Sequence, residues 1–106
     1  MRELDWSEQE KIIARTAFNA AYRREISALI REVSDRAAII SDIDQVWGLH
    51  DYLSAKRHDI DGKYDYRYSV LIFVFARLVK EGWLELSELA DINPEKLAKV
   101  AALSRM

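Results

Sequence analysis

Twelve consecutive residues hold the densest chemistry in this chain: Trp47, Gly48, Leu49, His50, Asp51, Tyr52, Leu53, Ser54, Ala55, Lys56, Arg57 and His58. Read as a helix, Trp47, His50, Asp51, Ser54, Arg57 and His58 follow three- and four-residue steps along one face. Val46, Leu49, Leu53 and Ile60 take the other. Tryptophan, arginine, histidine and aspartate on one face is the composition of a protein-binding hot spot. The plainer alternative is a solvated face with a helical ion pair, Arg57 reaching Asp61 one turn on. Catalysis fits poorly. Neighbouring residues on a helix point about 100° apart, so Asp51 is not expected to orient His50, and Ser54 lacks a strained turn to present it. His50 and His58 stand two turns apart, roughly 12 Å along the axis, too far to share one zinc ion.

The elements that must hold this face are helical. Ser7 reads as an N-cap, with Glu10 three residues on to complete a capping box. Beyond it Ile12, Ile13, Ala17, Ala20, Tyr22, Ile26, Leu29, Ile30, Val33, Ala37 and Ile40 recur at helical steps, with Arg15, Glu25 and Glu32 off the stripe. A helix over about 7–38 would be roughly 45 Å long, against a radius of gyration near 13 Å for a compact domain of this size. It must project from any globule the remaining residues can build. A second copy of the chain is the simplest cover for its apolar stripe, predicting an antiparallel or crossed homodimer through Ile26, Leu29, Val33, Ile40 and Trp47. The alternative is a break near Ser34–Asp35 and a monomeric hairpin.

Ser41–Asp42 opens a second helix, expected over about 42–60 with Asp61–Gly62 as its stop. A C-terminal helical head then covers about 65–104. Its first helix begins near Asp65 and ends at Glu81–Gly82; Ser87 caps a short turn, and Asn93–Pro94 starts the last helix. The apolar run Val70–Ala76 could be strand or helix by pattern, but no second strand exists to pair with it, so the fold class is all-α. Phe73 and Phe75 lie about 200° apart on a helix, so one of them is left over unless that helix is buried all round. Lys63–Tyr68 reads as an ordered polar corner or as a tyrosine rim to an interface. The whole is expected to be one domain.

Composition narrows the classes further. With 16 basic and 18 acidic residues the charge nearly cancels, and no one-sided positive field points to nucleic acid. Arg57, Lys63 and Arg67 flank a helical corner, but Asp59, Asp61 and Asp65 interleave with them and would repel phosphate. There is no cysteine, so disulfides and thiolate metal sites are out and a reducing, cytosolic setting is expected. The opening Met1–Glu10, with Glu3, Asp5, Glu8 and Glu10, lacks the apolar stretch of a signal peptide. Val70–Ala76 falls far short of the roughly 20 residues of a transmembrane helix.

The stretch Trp47–Gly82 resembles the signature of the cyanobacterial fluorescence recovery protein family, most distinctively in W-x-L-H-D at Trp47–Asp51, in S-A-K-R-H-D-I-D-G-K-Y-D at Ser54–Asp65 and in I-F-V-F-A at Ile72–Ala76. The resemblance implies an all-helical dimer without cofactors that binds the C-terminal domain of the orange carotenoid protein. It implies acceleration of that protein's return from the red, quenching form to the orange form, so that phycobilisome light harvesting resumes. Carried onto matching positions, the partner-binding residues are Trp47, His50, Asp51 and Arg57, with Phe73 and Lys99 in the head. A cytoplasmic location, with peripheral association at the thylakoid, would suit that role. A helical homodimeric adaptor for another partner is the alternative.

Overall fold

The computed structural model describes residues 5–106, so Glu3 of the acidic opening lies outside the described residues. Four helices follow in order, α1 (Glu8–Ala38), α2 (Ile43–Lys63), α3 (Leu71–Glu81) and α4 (Pro94–Ser104), with a short 3-10 turn at Leu86–Leu89. No strand occurs among the described residues, and the fold is all-α. The molecule measures 57 × 24 × 19 Å, with a radius of gyration of 16.7 Å. It is elongated because α1 runs unbroken through Ser34–Asp35 to Ala38.

Two lobes hang on that helix. In the head, the first half of α1 contributes Ala14, Ala17, Phe18 and Ala21 to a core with Leu71, Phe75 and Leu78 of α3, Leu84, Leu89 and Ile92 of the connection that follows, and Val100 of α4. Arg24 clasps the 3-10 turn to α1, forking onto Glu88 at 2.8 Å twice and donating to the Trp83 carbonyl at 3.0 Å. In the arm, α2 returns along the second half of α1. Tyr52 donates to Glu32 at 2.6 Å, and the Arg36 guanidinium lies 3.9 Å from the centre of the Tyr52 ring. The alternative break near Ser34–Asp35 does not occur: α1 ends at Ala38 and α2 begins after the Asp42 cap, as the expected helices over about 7–38 and 42–60 require.

The caps explain most boundaries. Ser7 and Glu10 form the expected capping box, Asp42 and Gln45 form another, and Asn93 caps α4 with Pro94 in its first turn. Gly82, at φ 86°, takes the left-handed conformation that ends α3. Two boundaries differ from expectation. Gly62 does not stop α2, because Tyr64 ends it one residue past Lys63 after the Lys63 side chain has been buried. The next helix starts at Leu71 instead of Asp65, because residues 64–67 form an irregular connection and 68–70 a turn, and their tyrosines pack as rings. Phe18 meets the rings of Tyr64 and Tyr66 edge-on at 5.4 and 4.8 Å, and Tyr68 lies 5.8 Å from Trp6. The turn at 86–89 takes its capping box from Glu85 and Glu88, not from Ser87.

The apolar stripe of α1 is displaced from the expected one. Its buried face is Glu10, Ala14, Ala17, Phe18, Ala21 and Glu25, whereas Ile12, Tyr22 and Ile30 are exposed. The bulkiest apolar residues drew the pattern, but the head packs against the alanines, which permit close approach.

Glu10 is 6% exposed and carries a second structural task. It accepts the backbone N–H groups of Ser7 and Asn93, each at 2.9 Å, and the Lys96 ammonium at 2.9 Å. Lys96 in turn lies 4.4 Å from the centre of the Trp6 ring. Burial alone would raise the Glu10 pKa, but these donors outweigh it and hold it down at about 2 from 4.5. A carboxylate whose pKa is lower in the folded state contributes stability above its unfolded pKa and loses it as pH falls through the folded one. The head should therefore weaken between about pH 4.5 and 2, losing on the order of 3 kcal/mol through this group. Urea unfolding across that range checks it: Glu10→Gln should be less stable at neutral pH and show a shallower acid slope.

Candidate functional site

The exposed face of α2 gathers four of the expected partner-binding residues. Three helical turns align Trp47, His50, Asp51, Ser54, Arg57 and His58 toward solvent, because α2 buries only Ile60 and Lys63 and turns its half-buried side toward α1. The Trp47 indole stands edge-on to the His50 ring at 6.4 Å. His50 Nδ1 approaches Asp51 Oδ1 at 3.3 Å. Both side chains are exposed, so this is a surface contact and not the buried orienting partnership of a catalytic pair. Arg57 Nε lies 3.7 Å from Asp61 Oδ2, a loose contact between side chains 86% and 72% exposed. Most of the guanidinium's donors therefore remain available. His50, Leu53, Ser54, Arg57, His58 and Asp61 line one open groove, and Tyr22, Ile26, Leu29 and Ile60 line another on the α1 side of Arg57 and Asp61.

Phe73 and Lys99 lie elsewhere, on the head. Phe73 is 57% exposed while Phe75 is fully buried, so the left-over ring is Phe73. It borders a groove with Ala76, Arg77, Lys80, Leu103 and Met106. Lys99 is exposed on α4, which packs against α3. The expected set thus divides between two surfaces, an aromatic and charged one on the arm and an apolar one with a basic margin on the head.

Between these surfaces lies a cluster the sequence reading missed. Lys63 Nζ donates to Glu25 Oε2 and to Glu81 Oε1, each at 2.7 Å, and Tyr64 donates to the other Glu25 oxygen at 2.7 Å. Arg77 bridges Glu81 at 2.8 Å and Asp59 at 2.7 Å, and Lys56 approaches Glu25 at 3.6 Å. The Arg77 guanidinium holds the Asp59 carboxyl below its usual range, and burial together with the Glu25 carboxylate pushes the Tyr64 phenol up. Glu25 had been read as an off-stripe polar residue and Lys63 as part of a polar corner. The available signal was spacing: Glu25 follows Phe18 and Ala21 by seven and four residues, and Lys63 follows Ile60 by three. Both therefore fall on the buried faces of their helices.

None of these groups forms a metal-binding cluster among the described residues. The grooves are open and solvated, and an exposed tryptophan and an exposed phenylalanine flank them. The sequence profile of one family, described as "Photoprotection regulator fluorescence recovery protein", matches residues 6–104, and the chain belongs to that family. It is 49% identical over 104 residues to the fluorescence recovery protein of a Synechocystis strain, covering 98% of this chain and 95% of that one. The fluorescence recovery protein structure from Fremyella diplosiphon superimposes with a TM-score of 0.94 at 57% identity, covering 96% of this chain and all of that one. That from Synechocystis gives 0.93 at 49% identity with the same coverage of this chain.

Proposed function

We propose that this chain is a non-enzymatic regulator that binds the red, light-activated form of the orange carotenoid protein, mainly at its C-terminal domain. It accelerates return to the orange form and so ends phycobilisome fluorescence quenching. What supports the reading is family membership over nearly the whole chain, together with a solvent-facing Trp47–Arg57 face whose charged groups are only loosely engaged. No covalent chemistry is required. A protein that binds the closing transition state more tightly than the open state lowers the barrier between them. Arg57 is the electrostatic anchor in this reading, because its planar guanidinium can fork onto a carboxylate of the partner. Phe73 and Lys99 form a second contact from the head, and no cofactor is needed. The setting is the cytoplasm, and no helix among the described residues is long and apolar enough to cross a membrane.

The test is to photoconvert an orange carotenoid protein to its red form and follow its recovery in the dark by absorbance, with and without this protein. Acceleration supports the reading; an unchanged recovery rate with several carotenoid protein subtypes defeats it.

The working unit in this reading is a homodimer joined through the arm. Ile30, Ile39 and Ile43 are exposed on that lobe, and Ile26, Leu29, Val33 and Ile40 are half-buried beside them. So much apolar surface on a thin hairpin is best explained by a second copy over it. Ile30→Glu should convert dimer to monomer in sedimentation at micromolar protein while the head keeps its thermal transition. Retention of the dimer mass would move the interface away from this face.

A further inference from the structure

The arm and the head meet at the buried ionic cluster; farther along the arm, α2 is held to α1 by the Tyr52–Glu32 hydrogen bond and by Arg36 over the Tyr52 ring, but at the head end the cluster carries the directional contacts. Of its twenty-one residues, α2 buries Ile60 and Lys63. One apolar side chain gives attraction without direction, because hydrophobic burial is non-directional. Direction comes from hydrogen bonds, and Lys63 makes them to both neighbours at once, to Glu25 of α1 and Glu81 of α3. Its side chain and that of Glu25 are each 1% exposed. Arg77 adds a solvent-facing limb from α3 to Asp59 of α2. Three cations, Lys56, Lys63 and Arg77, face three carboxylates, Glu25, Asp59 and Glu81.

A buried ion pair is weak evidence for stability, since an apolar replacement of similar volume is often neutral. Its directional hydrogen bonds are what an apolar pair cannot reproduce. We propose that Lys63, through Glu25 and Glu81, is a positioning residue: it sets the angle between α2 and the head, so that the Trp47–Arg57 face and the Phe73 groove meet one partner together. The role rests on the partner reading above.

The experiment separates angle from stability. Glu25→Leu with Lys63→Met removes the central pair and leaves Glu81 to Arg77. Nitroxide labels on Ala55→Cys in α2 and Ser87→Cys in the head report the angle as a distance distribution, with labelled chains diluted into unlabelled protein. The chain has no native cysteine to interfere. The expected result is wild-type helicity and a melting temperature close to the parent's, a broadened distance distribution, and recovery of the carotenoid protein slowed by roughly tenfold relative to the parent. A purely structural role would instead lower the melting temperature and leave the activity of the folded fraction intact, which overturns the proposal. An unchanged distance distribution overturns it as well, as does full acceleration from a variant whose distribution has broadened. Should the double variant fail to fold, Glu81→Leu removes the bond from Lys63 to α3 and leaves the buried Lys63–Glu25 pair, and it is read the same way: broadening upholds the role, and an unchanged distribution overturns it. If the parent protein accelerates no carotenoid protein, the partner reading has failed, and the distance measurement still decides whether the cluster sets the angle.

Discussion

Arg57→Leu should abolish acceleration of carotenoid recovery while leaving helicity, thermal stability and dimer mass where they were. Inside the chain this side chain does little. It is 86% exposed and its contact with Asp61 is 3.7 Å long, the kind of surface pair that contributes about 0–1 kcal/mol. Against a partner carboxylate its value changes, because the pair becomes desolvated and the planar fork can donate two parallel hydrogen bonds. Truncating one member of such an interfacial pair costs about 2–5 kcal/mol, a loss of roughly thirtyfold or more in affinity. Arg57→Lys should recover only part of the effect, since an ammonium keeps the charge and loses the fork. Dark recovery rates over a range of protein concentrations, with circular dichroism and sedimentation as controls, decide the matter. Normal acceleration by the leucine variant would assign the anchor to another residue.

Phe75→Ala should be as damaging to the fold as Phe73→Ala is harmless to it. Phe75 is fully buried among head residues that include Leu71, Leu78, Leu89 and Val100. Removing its ring leaves a cavity that α1 and α4 cannot fill without losing their own contacts, at a cost of about 3–5 kcal/mol. For a chain of this length that corresponds to a fall of about 15–20 °C in melting temperature. Phe73, two residues earlier, is 57% exposed, and its removal should change stability by about 0.5 kcal/mol or less. In the proposed reading the same substitution should weaken partner binding. Thermal unfolding at one protein concentration, paired with the recovery assay, checks both halves. Equal destabilisation by the two variants would contradict the burial difference between them.

The sequence disclosed the helices better than it disclosed what they bury. The capping box at Ser7, the helix start at Ser41–Asp42 and the Asn93–Pro94 start are local chemistry, and local chemistry is readable without neighbours. The exposed face of α2 was legible for the same reason, because helical spacing alone aligns Trp47, His50 and Arg57. The core face of α1 was not. It is built from alanines and two glutamates, residues whose burial depends on the partners that meet them, and no pattern of hydrophobicity marks Glu25 as interior. The corner at Lys63–Tyr68 was legible, but the start of α3 falls at Leu71 and not near Asp65, because the ring contacts to Phe18 and Trp6 that hold the tyrosines out of the helix are not visible in the sequence. The contact between His50 and Asp51 depends on side-chain reach beyond the helical wheel.

The cluster at Lys63 also makes α2 a lever with unequal arms. Arg57 is six residues from the pivot and Trp47 sixteen, about 9 and 24 Å of helix. A tilt of one degree at Lys63 therefore moves Arg57 by about 0.2 Å and Trp47 by about 0.4 Å. Small errors in angle are absorbed near the arginine and magnified toward the tryptophan. In the proposed reading the same α2 face would make a forgiving electrostatic contact at one end and a demanding steric one at the other.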